Sequence, residues 1–489
     1  MHAHHWKTTA AACALSMLAA CGGGDDPAPG PTQTAIGTIS SFGSLVVNGV
    51  RFDDTAASIT MDDSAGTRDR LRVGMVVQVR GRINANGTGV ANTIRYNDCV
   101  QGPITAMNQV QNTVTVLGQT VLVDDDTVFD GVTQRDMNSF AIGDQVEVSC
   151  LPDPANNRLR ATRMERQGLF QNGVSELEVK GTVSNLDAAA GTCTIDGLTV
   201  NFSGIAAGGR PAGLANGMTV EVGGSNFANG ILTADRLRDR DRDRISYPDG
   251  DGLEVEGYVA DFVSIANFTV AGQAVNAANA VIRNGTAADI RNGLKVEAEG
   301  VMTNNVLVAS VLVVKLQASV HVESGLQAKD AALGTLTMLG RALKLTADTV
   351  LRDRLASADQ PAIITLASLN PADRLEVNAY EDAAGDLIAT RVERTAADSL
   401  VVVKGPADAK VPTTQLTLAG FGVTTGANSR YRDLSGALVD AATFYAAVAV
   451  PPAVPTMVRA RGVVASLATN VVDATRDVGT TGELEIGED

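Results

Sequence analysis

One hairpin, written six times, constrains this chain more than any other feature. It reads Leu45-Val46-Val47-Asn48-Gly49, Val114-Thr115-Val116-Leu117-Gly118 and Cys193-Thr194-Ile195-Asp196-Gly197. It returns as Phe268-Thr269-Val270-Ala271-Gly272, Leu336-Thr337-Met338-Leu339-Gly340 and Leu416-Thr417-Leu418-Ala419-Gly420. The residues four and two places before each glycine are apolar, and the residue between them is Thr in five of the six copies. A period of two with apolar-in and Thr-out is a half-buried strand. The glycine supplies the positive φ of a two-residue turn, and Asn48-Gly49 and Asp196-Gly197 are strong hairpin signals. Successive turn glycines lie 68 to 80 residues apart, the spacing of a tandem array of small domains.

A second signature follows each hairpin. Gly74-Met75-Val76-Val77-Gln78-Val79 matches Gly143-Asp144-Gln145-Val146-Glu147-Val148 and Gly217-Met218-Thr219-Val220-Glu221-Val222. It also matches Gly293-Leu294-Lys295-Val296-Glu297-Ala298 and Ala372-Asp373-Arg374-Leu375-Glu376-Val377. A further strand then carries an alanine at one fixed place: Ala91, Ala161, Ala234, Ala309, Ala389 and Ala474. A small residue recurring in a strand implies close backbone approach, as at a barrel corner. Each copy opens with a short strand, glycine-containing in Gly37-Thr38-Ile39, Gly181-Thr182-Val183 and Gly257-Tyr258-Val259. Five short strands with little room for helix fit a small barrel of OB type, with a pair of packed sheets as the alternative. Closure would remove exposed edges. The expected fold is therefore all-β: six five-stranded OB-like modules over 35–97, 98–168, 176–240, 253–316, 319–396 and 399–480. The sixth is divergent, with an insertion from Phe444 to Pro455 and no clean glycine signature in its fourth strand.

The N-terminus carries a different message. Lys7 gives a positive n-region, and Ala10 to Ala20 is an apolar stretch too short to span a bilayer. Leu18-Ala19-Ala20-Cys21 resembles the lipobox of bacterial lipoproteins, which implies a signal peptide over 1–20 and lipidation of Cys21. Buried acyl methylenes contribute roughly 0.8 kcal/mol each, so such an anchor holds. Residues 21–34, rich in Gly, Pro and Asp, read as a flexible tether. Gly22 after the anchor is compatible with the outer membrane.

The spacing, the hairpin and the Gly-x-x-Val-x-Val signature together resemble the family called domain of unknown function 5666, which occurs in tandem in bacterial envelope lipoproteins. The resemblance spans about residues 35–480. It implies a fold and a location, and it carries over no catalytic residue.

Composition closes several routes. The chain has 55 acidic against 39 basic side chains, a net charge of −16, and aromatic residues make up 4%. Acidic surface repels phosphates and few rings are available for stacking, so no nucleic-acid partner is expected. Cleavage before Cys21 would leave His321 as the sole histidine, which excludes histidine-rich zinc sites. His321, in a strand opening module five, reads as a partly exposed strand residue; nothing nearby resembles a nucleophile elbow. Asp124-Asp125-Asp126 and Tyr247-Pro248-Asp249-Gly250-Asp251-Gly252 read as solvated acidic turns, lacking EF-hand spacing. The alternating run Asp235–Arg244 reads as a solvated linker between modules three and four, or as an extension of the last strand of module three.

Cys99 opens the first strand of module two and Cys150 ends its fourth, neighbours in an OB-type barrel, so a disulfide between them is feasible in an oxidising compartment. Cys193 occupies an inward position and reads as a core thiol. No catalytic residue, cofactor or metal is assigned. The expected role is a non-enzymatic scaffold, spacer or binding array, lipid-anchored in the cell envelope, with an envelope protein or glycan as partner. The alternative is a periplasmic or surface protein that binds oligosaccharide or peptide in OB-like grooves; fold analogy is its warrant. A carboxylate-based hydrolase is the third reading.

Overall fold

The computed structural model describes residues 32–84, 86–109, 111–132, 137–240, 247–464, 470–476 and 482–487. Cys21 and the whole signal and tether segment before residue 32 lie outside the described residues. All six hairpins form where the alternation places them, from Leu45–Val47 with Val50–Asp53 in module one to Gln415–Leu418 with Phe421–Thr424 in module six. Each turn uses positive φ at both central residues, not at the glycine alone: Asn48 51° and Gly49 80°, Leu117 45° and Gly118 77°, Ala419 46° and Gly420 77°. This is the type I′ geometry whose twist matches the flanking strands.

Each module closes on itself. In module one the first strand (Gln33–Ser41) pairs with the second (Leu45–Val47), and the second with the third (Val50–Asp53). The third runs parallel to the fifth (Gly89–Tyr96), which pairs antiparallel with the fourth (Val76–Ile83), and the fourth returns to the first. The order 1-2-3-5-4 with a closing 1·4 pair is a five-stranded OB-type barrel. Module three repeats it without change, through Leu177–Asp187, Thr192–Ile195, Leu198–Asn201, Thr219–Ala228 and Ile231–Asp239. Module six departs in its last strand, which is split into Val471–Asp473 and Glu483–Gly487. The second piece pairs with Met457–Gly462, so this module runs seven residues beyond the boundary drawn at 480. Its insertion contributes the helix Ala441–Ala447, capped by the Asp440 side chain accepting from the Thr443 amide at 2.7 Å. Phe444 and Tyr445 from that helix are buried against Tyr431.

The recurring alanine sits at a β-bulge. The register between strands four and five slips at Gly81 opposite Ala91, at Gly224 opposite Ala234 and at Gly300 opposite Ala309. A Cβ on Gly81 or Gly300 would collide with the carbonyl oxygen of Val90 or Val308, so the bulge needs small residues on both strands. The first-strand glycine has a separate cause. A Cβ on Gly102 would stand 2.5 Å from Leu117 of the hairpin turn, and one on Gly405 2.9 Å from Ala419. The turn folds down onto the first strand, and the glycine makes the room.

The six cores are not all separate. Modules two and three share one apolar cluster, as do modules five and six, while modules one and four each keep their own. Closure leaves one edge of the first strand open, and that edge is where modules meet. Gln33–Ile36 of module one pairs parallel with Gly252–Val255 of module four. Gln101 and Val100 of module two pair antiparallel with Glu178 and Val179 of module three. His321–Glu323 of module five pairs antiparallel with Val402–Lys404 of module six. Continuous sheets therefore join one with four, two with three, and five with six. The chain folds back on itself instead of running as a file of beads. Further contacts tie the pairs together: the Phe42 amide donates to the Pro361 carbonyl at 2.8 Å, and the Arg160 guanidinium lies 4.6 Å from the Tyr258 ring centre.

Candidate functional site

The polar groups of this protein gather where modules meet. The acidic turn Asp124-Asp125-Asp126 of module two is not a free solvated turn. It inserts at the seam of modules five and six, where Lys404 reaches the Asp125 carboxylate at 2.8 Å. The Asn378 amide donates to the Asp125 carbonyl at 2.7 Å, and Arg391 donates to the same carbonyl at 2.9 Å. Burial resists ionisation of Asp125, but Lys404 and His321 outweigh it and hold its carboxyl below the usual value. Asp124 goes the other way: burial, with the charges of Asp126 and Asp125, pushes it up to about 6.

His321 belongs to the same seam. Its Nδ1 lies 2.7 Å from Asn378 Oδ1 and its Nε2 3.0 Å from Glu323 Oε1. The amide nitrogen of Asn378 is engaged with Asp125, which turns its oxygen toward the ring. Both ring nitrogens thus face acceptors, an arrangement that suits the imidazolium. Burial alone would lower its pKa, yet Glu323 and Asp125 raise it. Its ring partners are an amide and a carboxylate, neither of them a hydroxyl or thiol nucleophile.

A second seam joins modules one, two and three. Carboxylate oxygens of Asp62, Asp98 and Glu178 lie within 4.8 Å of one another. The Lys180 ammonium already sits among them, 2.6 Å from Asp98 and 2.6 Å from Glu178. Burial lifts Asp98 well above the ordinary carboxylate range, with Glu178 and Asp62 adding to it. The described part of the Asp/Arg run feeds the same region. Asp235–Asp239 completes the last strand of module three rather than forming a linker, because its arginines find carboxylates on one face. Arg236 meets Glu178 at 2.6 Å, Arg238 meets Asp63 of module one at 2.8 Å, and Arg240 meets Glu221 at 3.0 Å. Residues 241–244 of the run lie outside the described residues.

The second acidic turn is likewise a contact: Gln78 donates to the Tyr247 hydroxyl at 3.0 Å, and Arg80 meets Asp251 at 3.3 Å, both between modules one and four. Cys99 and Cys150 form a disulfide, with Cα atoms 5.8 Å apart. Cys150 stands opposite Ala161 at the bulge, where modules one, three and four carry glycine. Cys193 is buried in the barrel of module three, and burial raises its thiol to about 11, which keeps it protonated.

The seam residues missed by sequence reading share one signal. The place before the first-strand glycine, or its Ser324 equivalent, holds Gln101, Lys180, Glu256, Glu323 and Lys404 in modules two to six, and apolar Ile36 in module one. A polar or charged residue recurring inside a strand marks a face that needs a partner. Each of these residues has one: Lys180 and Lys404 reach Asp98 and Asp125 of module two, while Gln101, Glu256 and Glu323 pair within their own modules with Gln167, Lys295 and Arg374.

Between module two, the stretch linking modules four and five, and module six lies a cleft of about 650 Å³. Among the described residues, no helix is long and apolar enough to cross a membrane.

Comparison with known proteins agrees with the repeat. No curated protein sequence matches the chain. A solved structure titled "drosophila Unr CSD456" is similar at 17% identity, covering 41% of this chain and 85% of that chain, with a TM-score of 0.14. The family described as "Domain of unknown function (DUF5666)" matches residues 35–95, 101–165, 180–238, 256–312 and 325–393, that is, modules one to five. With well over half of its residues matched in five tandem copies, the chain belongs to the DUF5666 family.

Proposed function

We propose that this protein is a non-enzymatic scaffold, lipid-anchored through Cys21 in the bacterial cell envelope, with its barrels on the periplasmic or outer face. One observation carries the reading: the open edge of every first strand is used to hold another module of the same chain. An edge consumed in this way is not free to add a peptide strand. The charged seams act in the same sense, since their ammonium and guanidinium groups are spent on carboxylates of neighbouring modules. The product is a body of fused barrels whose outer loops present a fixed surface. The partner on that surface is an envelope protein or glycan.

The test uses intact cells. A photo-crosslinking residue placed at exposed Leu169 or Val263 should capture a reproducible envelope partner. An alkyne fatty acid should label the wild-type protein and not Cys21→Ser. Label on the serine variant would remove the anchor. Substrate turnover lost through one Asp or Glu substitution would replace the scaffold with an enzyme.

A further inference from the structure

The cleft of about 650 Å³ has an unusual wall for its size. Its charged lining is Asp124, Asp125 and Asp126 against Arg158, Arg160 and Lys404, and the partners behind the wall, Asp153 on the two arginines and Arg391 on Asp126, add one charge of each sign, so the sum is zero. Most of these charges are already matched. Lys404 holds Asp125 at 2.8 Å, and buried Asp153 takes Arg158 at 3.2 Å and Arg160 at 2.9 Å. A carboxylate accepts about four hydrogen bonds and a guanidinium donates about five, so each fixed group keeps spare capacity after pairing. Asn157, Gln317 and Thr120 add amide and hydroxyl groups to the lining.

Such a wall selects its ligand by exclusion. An anion or cation finds no surplus of opposite charge and must break an existing pair, which strands the other member. An apolar molecule would desolvate the carboxylates, guanidinium and amide groups and gain in return only contact with Leu122, Val123 and Ala318. A molecule with many hydroxyls and no net charge meets donors and acceptors held rigidly by their own ion pairs. Clefts between domains of roughly 300–1,000 Å³ are the usual size for small-molecule sites.

We propose that this cleft binds a neutral saccharide of one or two rings. Most of its wall is module two, and Gln317, Ala318, Ser319 and Lys404 from other parts of the chain complete it; the proposal is independent of the scaffold reading. The sugar would touch module two, the linker between modules four and five, and module six at once.

The test is calorimetric titration of the full chain with neutral mono- and disaccharides, including maltose, trehalose and N-acetylglucosamine, beside glucuronic acid and glycine betaine. The informative variant is Asn157→Gly with Gln317→Ala. Asn157 has φ 48°, a conformation glycine adopts freely, so the turn is retained. At least one neutral sugar should saturate one site. The double variant should weaken it about tenfold, the effect of losing roughly two hydrogen bonds, without moving the ligand-free melting point. Absence of binding by every neutral sugar, binding indifferent to the double variant, or preference for glucuronate or betaine would each overturn the proposal.

Discussion

The Lys404 ammonium of module six stands 2.8 Å from the Asp125 carboxylate of module two, across 279 residues of sequence. The two residues belong to different barrels, Lys404 in a strand and Asp125 in a turn, so the contact exists only because the array folds back. Both side chains are about one-fifth exposed, 18% and 23%. Lys404→Ala should therefore cost about 1–3 kcal/mol, less than the loss of a fully buried partner. Urea melts of the two proteins measure it. An unchanged midpoint would mean that the turn is held by its backbone contacts to Asn378 and Arg391 alone.

The same seam titrates. The folded pKa of His321 is raised above its ordinary value of 6.5, so its contribution is complete below about pH 6.5 and fades as pH rises through the raised value. Glu323 is held at about 2 even though burial opposes ionisation, because His321, Arg459 and Arg374 favour the carboxylate. Its contribution is present above about pH 4.5 and is lost as pH falls toward 2. Stability traceable to this pair should peak between those limits. His321→Asn should flatten the decline measured between pH 6.5 and 8.

Glu254 lies in the parallel seam, opposite Ala35 of module one. Burial, then the charges of Glu297 and Glu299, raise its carboxyl to about 9. It is protonated in the fold at neutral pH and ionised in the unfolded chain, so it costs stability as pH rises from about 4.5 toward 9. Glutamine mimics the protonated form. Glu254→Gln should gain about 1–3 kcal/mol at pH 8 and nothing at pH 4, read from paired thermal melts.

Bulge glycines can be separated from ordinary ones. At Gly300 a Cβ would strike the Val308 backbone, with no flexible group to yield. Gly300→Ala should cost about 2 kcal/mol or more. At Gly204 nothing lies within 4 Å and φ is ordinary, so Gly204→Ala should be neutral or stabilise by roughly 0.4–1 kcal/mol. Equal effects at the two sites would deny the bulge its steric origin.

The Cys99–Cys150 bridge spans 51 residues of module two. Loop-entropy reasoning gives it up to about 4 kcal/mol. The Cys99→Ser, Cys150→Ser double variant should melt earlier, and reductant should shift the wild type toward it while leaving the variant unmoved.

Much of this is legible in the sequence. The hairpins follow from alternation and the turn glycine, and the bulge alanines from their recurrence at one place. The first-strand residues Lys180, Glu323 and Lys404 could have been flagged as seams, because charge repeated at one strand position implies a partner. What they pair with could not be read: Lys180 meets Asp98 at the start of module two, 82 residues earlier, and Lys404 meets a turn in another barrel. The Asp/Arg run looked like linker because its charges alternate; in the fold its arginines share a face with Glu178, Glu221 and Asp63.

Sequence by itself determined that six small barrels form, because turn chemistry, alternation and bulge residues all act within a single module. Tertiary structure alone decided that one joins four, two joins three and five joins six. A strand edge is a row of amide and carbonyl groups that is much the same in every module. Only side chains brought together from distant loops distinguish one edge from another.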